Sequence, residues 1–280
     1  MSMKTRKRLM TAGKAVILTL FLLNVILPLY WMVITSFKTN AEIVNVHEIT
    51  FFPKTFTLEN YIDLFKQYDY GTMLKNSVVM SVTTGVVVTV FAIFGGYGMA
   101  RYRFKGKGAM NLFFLLTQMV PGILVTIPIY VLYSKIGLIN TAPGLIILFV
   151  IGNIPFTSIT MRSFFERIPA SLEEAAWVDG CSRMQGIVKI VLPVMLPGIV
   201  SVFIFAFIGA WNDLMTGTIF ISSSKLWTIP VGLKSMIGKY SVPWGTLMAG
   251  GVMAMLPTTI MFVFMQKYIV EGMTAGSVKE

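Results

Sequence analysis

Charged residues punctuate this chain and leave six long stretches between them that contain no Asp, Glu, Lys or Arg. They are residues 15–37, 76–100, 108–134, 136–161, 190–212 and 240–266, and they run to 23, 25, 27, 26, 23 and 27 residues. A helix that crosses the hydrocarbon core of a bilayer needs about 20 apolar residues. Each stretch therefore predicts one span, helical because lipid offers the backbone no hydrogen bonds. The next longest uncharged stretch, residues 214–224, has 11 residues and is too short to cross. The first stretch follows Lys4, Arg6, Lys7, Arg8 and Lys14, as a secretory signal would. A signal's apolar region is about 7–15 residues long and ends at a small-residue cleavage site. This one continues through Pro28-Leu29-Tyr30-Trp31 without such a site, and reads as a retained span with aromatic anchors.

Composition agrees. The chain has 280 residues, 55% of them hydrophobic and 12% charged. Soluble domains carry about 25% charged residues, so a water-soluble surface and a disordered chain are both excluded. A single cysteine, Cys181, excludes an internal disulfide framework and an all-cysteine metal cage.

The distribution of Lys and Arg orients the spans. One side holds 15 of the 23: five before the first span, four in the second-to-third loop (Arg101, Arg103, Lys105, Lys107), four in the fourth-to-fifth loop (Arg162, Arg167, Arg183, Lys189), and Lys267 and Lys279. Basic residues accumulate in the cytoplasm, so both termini are expected inside. The net charge of +11 is thus mainly a topological signal. It is spread over short loops instead of forming one patch, which disfavours nucleic-acid binding.

The loops carry local signals. In the first outer loop, residues 38–72, Thr57 is a plausible helix N-cap, with Phe56 and Tyr61 at the positions of a hydrophobic staple. The helix that follows is expected to cover the outer end of the bundle or to dock a partner. His47 has no second ligand nearby and reads as a surface residue. The outer loop at residues 222–245 holds Trp227, Tyr240 and Trp244, read as interfacial anchors. The inner fourth-to-fifth loop reads Ile168-Pro169-Ala170-Ser171-Leu172-Glu173-Glu174-Ala175-Ala176-Trp177-Val178-Asp179-Gly180. Ser171 and Glu174 have the spacing of a capping box. Ala175 and Ala176 would let another surface approach closely. Gly180 permits the positive φ that ends a short helix. Leu192-Pro193 opens the fifth span, where proline fits the first turn. A short helix across the inner ends of the bundle is expected, as a docking element or as a connector.

Glu174-Ala175-Ala176, then Gly180, Ile190 and Leu192-Pro193 resemble in residue and spacing the EAA loop of ABC importer permeases. Phe56-Thr57-Leu58-Glu59-Asn60-Tyr61, Ala210-Trp211-Asn212-Asp213 and the tail Gly272-Met273-Thr274-Ala275-Gly276-Ser277-Val278-Lys279 resemble the carbohydrate-uptake branch, the maltose-type permeases. The likeness runs from about residue 15 to the end, and Glu280 departs from the glycine expected there. The resemblance implies an all-α membrane protein of the type I importer permease fold in a bacterial or archaeal cytoplasmic membrane. It implies a cytoplasmic segment 1–14, a six-span domain 15–268 with its coupling loop at about 168–186, and a cytoplasmic tail 269–280. It also implies that Glu173, Glu174, Ala175, Ala176, Asp179, Gly180, Leu192 and Pro193 couple the bundle to a cytoplasmic ATPase dimer. Gly272, Thr274, Ala275, Gly276 and Lys279 would reach into that dimer. A non-identical second six-span permease and an extracytoplasmic solute-binding protein complete the implied complex, with ATP and Mg held by the partner ATPase and none by this chain.

The residues themselves support a separate energy source. A nucleotide-binding loop needs G-x-x-x-x-G-K-[ST]. The Gly-Lys pairs here are Gly13-Lys14, Gly106-Lys107 and Gly238-Lys239, and none precedes Ser or Thr. Inside the spans, Asn24, Gln118, Asn153, Asn212 and Thr258 are polar, and such groups usually bridge helices. Gln118, Asn153 and Asn212 are also candidates to line a solute pathway. Asp213 follows Pro193 by 20 residues, about 30 Å of helix, and is expected near the outer side as a cap, an interhelix contact or a proton-coupling acid. No metal site and no catalytic set is expected from one His and one Cys. A secondary transporter would need several buried ionisable groups, which the spans lack. The sequence leaves the solute open between a sugar and a glycerol-phosphate-type substrate.

Overall fold

A computed structural model describes residues 3–45 and 47–274, with side chains described at residue 7 and at residues 10–45 and 47–268. Among the described residues all regular structure is helical, without strands. In chain order the helices are α1 (Met3–Ser36), α2 (Asn40–Val44), α3 (Glu59–Lys66), α4 (Tyr70–Arg101), α5 (Lys107–Met119), α6 (Gly122–Ile136) and α7 (Ala142–Arg167). Then come α8 (Ser171–Val178), α9 (Arg183–Gly186), a π-turn at Ile187–Val191, α10 (Leu192–Val194), α11 (Leu196–Trp211), α12 (Met215–Phe220), α13 (Ile229–Ser235) and α14 (Trp244–Thr274).

Four of the six predicted spans are continuous helices: α1, α4, α7 and α14. The third and fifth are not. The third bends by 98° between α5 and α6, and the fifth bends by 76° between α10 and α11. Proline accounts for both. Val120 precedes Pro121 and is extended (ψ 121°), as a residue before proline tends to be. Pro197 in the first turn of α11 cannot donate to the carbonyl four residues earlier, so the ladder breaks at Met195. The uncharged stretches 108–134 and 190–212, each expected to form one helical span, are therefore broken helices.

The chain divides into two compact units. One comprises Met1–Tyr70 and Leu233–Leu256, the other Gly71–Gly232 and Pro257–Glu280. In the first unit, the loop after α1 is fastened by aromatic rings and amides. Phe37 stacks on Phe56 at 4.8 Å and meets Tyr61 at 5.3 Å. Phe37 thus fills the position expected for a Phe56–Tyr61 staple. The Thr57 hydroxyl accepts from the Glu59 backbone N–H at 3.1 Å, but α3 starts after Leu58, one residue later than a Thr57 N-cap would place it. The buried Asn60 side chain donates to the carbonyls of Ser36 (2.9 Å) and Lys38 (2.8 Å).

In the second unit, α4, α7 and α11 pack around Ala92, Met161, Phe165, Val191, Met195 and Val202. Gly96 makes the approach of α4 to α7 possible, since a β-carbon there would lie 2.8 Å from the Arg162 nitrogen. This cluster is the platform under the fourth-to-fifth loop.

Candidate functional site

The loop from Ile168 to Met195 folds as a compact device. α8 begins at Ser171 without a side-chain cap, because Ala170 before it is already helical. Ser171 is therefore inside the helix, and the expected Ser171–Glu174 capping box is absent. A capping box does form further on: Ser182 accepts from the Gln185 N–H (3.3 Å), and the Gln185 side chain accepts from the Ser182 N–H (2.9 Å).

α8 ends as its sequence predicts. Gly180 has φ +85°. The Gly180 N–H donates to Trp177 at 3.1 Å and the Cys181 N–H to Ala176 at 2.9 Å. That pair of bonds is a Schellman termination, which satisfies carbonyls that the helix end leaves open. A β-carbon at Gly180 would meet nothing within 4 Å, so the requirement there is conformational and not steric.

Helical periodicity sorts the EAA residues onto two faces. Glu173 and Ala176 point inward, with relative exposures of 3% and 1%. Glu174, Ala175, Asp179 and Gly180 are exposed, as are Leu172 and, at 87%, Val178. The resemblance groups Glu173 and Ala176 with the residues offered to a partner. The structure instead buries them within this chain, Ala176 next to Gly186.

Glu173 is the anchor. One carboxylate oxygen accepts from Arg101 Nε at 2.6 Å and the other from the Tyr97 hydroxyl at 2.8 Å. The same Arg101 also donates to the carbonyl of Ile168 at 2.8 Å. The Glu173 side chain is 4% exposed and that of Arg101 15%. A buried ion pair is weak evidence for net stability, but removing one partner typically costs about 3–5 kcal/mol, because it strands the other charge. The inner end of α4 is thereby tied to α8. Sequence reading missed this clasp, since its partners are 72 and 76 residues apart. The available signal was the i, i+3 spacing of Glu173 and Ala176, which puts both on one face.

Beyond α8, Arg183 lies over the Trp177 ring at 5.4 Å. The π-turn then leads into α10, where Leu192 is half-buried and Pro193 exposed. α8 is thus joined to α4 by a charged clasp and to α11 by a short helical run.

The pathway candidates are not brought together. Gln118 is exposed on α5 and donates to the Phe114 carbonyl of its own helix at 3.2 Å. Asn153 is half-buried in α7 and donates to Phe149 at 2.8 Å, with Gly209 of α11 close by. Asn212 is the exposed C-cap of α11. Neither amide of Gln118 or Asn153 bridges helices. Asp213 makes a local cap: it accepts from the Gly217 N–H (2.9 Å) and the Thr216 hydroxyl (2.8 Å). Gly272 and Thr274 fall in the last turn of α14, while Ala275, Gly276 and Lys279 lie outside the described residues. Among the described residues, no three His, Cys, Asp or Glu side chains come together as a metal would require.

The family described as "Binding-protein-dependent transport system inner membrane component" matches residues 92–275, which include the whole segment from Ile168 to Met195. The inner membrane ABC transporter permease protein YcjP of Escherichia coli (strain K12) is 37% identical over 264 residues, covering 94% of each chain. The diacetylchitobiose uptake system permease protein DasC of Streptomyces coelicolor is 33% identical and covers 92% of this chain and 93% of that one. The trehalose transport system permease protein SugB of Mycobacterium tuberculosis is 32% identical, with coverage of 95% and 96%. In fold, the chain is similar to a bacterial ABC transporter involved in the import of the acidic polysaccharide alginate. That likeness has a TM-score of 0.81 at 23% identity and covers 96% of this chain and 99% of that one.

Proposed function

Because this chain belongs to the family of binding-protein-dependent transport system inner membrane components, we propose that it passes a sugar or oligosaccharide from an extracytoplasmic binding protein into the cytoplasm. The observation that carries this reading is the two-faced coupling helix within the matched segment. Its outward face, with Glu174, Ala175, Asp179 and Gly180, is free for a cytoplasmic ATPase. Its inward face is locked by Glu173 onto Arg101 and Tyr97 of α4. A rigidly held helix with an exposed face can convey a partner's movement to the spans, as packed elements move as units. Leu192 and Pro193 act in the run that joins the helix to α11. The tail residues Gly272, Thr274, Ala275, Gly276 and Lys279 are assigned to contact with the same ATPase dimer on the sequence resemblance alone.

ATP and Mg belong to that dimer in this scheme, and a second, non-identical permease closes the pathway. A sugar is favoured because the relatives are named for diacetylchitobiose, trehalose and arabinooligosaccharide transport. The test is isolation of the native complex through a tag on this chain, followed by mass spectrometry of its proteins and bound small molecules. A second permease, an ATPase, a binding protein and a saccharide are expected. Recovery without any ATPase would sink the importer reading, and a bound non-sugar solute would sink the substrate class.

A further inference from the structure

The link between α4 and α5 reads Arg101-Tyr102-Arg103-Phe104-Lys105-Gly106-Lys107, with cations and aromatic rings in alternation. Arg101 is committed to Glu173 and Ile168. The other three cations are not committed. Arg103 and Lys105 are exposed and Lys107 is half-buried, and among the described residues none of them pairs with a carboxylate. The chain has no Asp or Glu from residue 70 to residue 165, so neither flanking helix supplies a counter-charge.

The length of the link fixes its depth. The uncharged stretches stop at Ala100 and resume at Gly108, so both ends sit where the hydrocarbon core ends. Five residues separate α4 from α5. Fully extended they reach about 17 Å, and a chain that goes out and returns stands off by no more than about half of that. A headgroup layer is about 5–7 Å thick. The cations are therefore held at headgroup depth, on the side that charge bias makes cytoplasmic. The rings agree, since Tyr102 is 47% exposed and Phe104 43%. Exposed rings beside cations suit the boundary between acyl chains and headgroups.

The charges select the occupant. Arg offers a phosphate a fork of donors, and Lys a point charge. A zwitterionic headgroup would bring a further cation to three that lack counter-ions. A lipid with net negative charge brings none. A protein surface would have to enter the headgroup layer between two spans to reach the same groups.

We infer that Arg103, Lys105 and Lys107 form a docking surface for anionic phospholipid of the inner leaflet, with Tyr102 and Phe104 at the upper ends of its acyl chains. The surface adjoins the anchor of α8. The Tyr102 ring meets that of Tyr97 edge-on at 5.9 Å, and the Tyr97 hydroxyl donates to Glu173 at 2.8 Å. Lipid held on the link thus braces the clasp. The inference needs only that the chain spans a membrane and does not rest on the importer reading.

The test reconstitutes the full chain in nanodiscs of equimolar phosphatidylcholine and phosphatidylglycerol, and counts the lipids retained after mild extraction by native mass spectrometry. The parent should retain phosphatidylglycerol in preference. Lys105→Gln should lower that preference roughly 2–5-fold, and the triple change Arg103→Gln, Lys105→Gln, Lys107→Gln at least about tenfold. The exposed outer lysines Lys225, Lys234 and Lys239, changed together to Gln, remove the same net charge and should leave the preference largely intact. In pure phosphatidylcholine the inner variants should melt with the parent; where the triple variant melts lower, Lys105→Gln alone carries the comparison. Hydrogen exchange in α8 should be slower with phosphatidylglycerol than without it, and Lys105→Gln should reduce the difference.

No preference in the parent would overturn the proposal, as would a preference untouched by the inner variants. An equal loss from the outer triple would mean attraction to net charge only and would overturn it too. Displacement of the lipid by inorganic phosphate would make this a free-anion site. Exchange in α8 that ignores the lipid would remove the brace on the clasp.

Discussion

The segment after α7 and the segment after α1 are both polar excursions between apolar helices, yet they are fastened in opposite ways. The inner one, from Ile168 to Met195, centres on a buried charge pair between Glu173 and Arg101, with Tyr97 bonded to the same carboxylate, and on the helical run into α11. The outer one, residues 37–66, is held by many small local contacts: the Phe37 stack, the two amide bonds of Asn60 and a loop wrapped around Glu42. One strong connection lets a short helix move with the span it is tied to. Many weak ones hold a loop in a fixed shape. The first arrangement suits transmission and the second suits a fixed outer surface.

The difference can be broken experimentally, and the largest effect is expected at the clasp. Arg101→Ala strands the Glu173 carboxylate and should destabilise the chain by about 3–5 kcal/mol. Replacing Arg101 and Glu173 together with methionine should recover most of that loss. Thermal unfolding of the purified variants reads both. In the outer segment, Asn60→Ala removes two bonds from buried carbonyls and should cost about 1–3 kcal/mol, distributed over a loop whose other contacts persist. Proteolysis of the loop should accelerate while ATP-driven uptake changes less than in Arg101→Ala.

Glu174→Lys sharpens the contrast between the two faces of α8. Glu174 is exposed, so stability should move by no more than about 0.5 kcal/mol. Association with the ATPase should fall on the order of tenfold, which corresponds to about 1.4 kcal/mol. Co-purification measured beside melting temperature separates these outcomes; a stable variant with full ATPase association would remove Glu174 from the docking face.

The smallest effect concerns pH. Burial opposes the charge of Glu42. The Thr50 hydroxyl, the Lys54 N–H, the Lys38 charge and the Thr55 N–H outweigh it and hold the carboxyl below the usual range. A lowered folded value means that this stabilisation is present above the ordinary carboxylate range and is lost as pH falls through the folded value. Protease sensitivity of the outer loop should therefore rise as pH falls below the ordinary carboxylate range, and Glu42→Gln should abolish that rise.

Much of this was legible in the sequence, for definite reasons. Spans show because charge is excluded from lipid-facing helix, and the turn at Gly180 shows because a positive φ there favours glycine. The bends at Val120 and Met195 were less visible. Pro121 and Pro197 announce lost hydrogen bonds but not how far a helix turns, which depends on what packs beside it. Pro193 drew attention as a first-turn proline, while the break falls at Met195. The EAA residues were found by pattern, but pattern did not divide Glu173 from Glu174; only the 3.6-residue turn against the bundle does that. Arg101 counted as one of fifteen inward charges, and nothing local to it points to a partner 72 residues on.

That separation has a consequence for how the protein is made. Translation proceeds at about 5–20 residues per second, so Glu173 emerges roughly 4–14 s after Arg101. In the interval Arg101 lacks its Glu173 partner, and it serves as one of the retained cations that keep the end of α4 inside. When Ser171–Val178 arrives, the same guanidinium is drawn out of water and becomes the fastening of α8. One side chain thus acts first as an address label and later as a rivet, and the order of synthesis keeps the two uses apart in time.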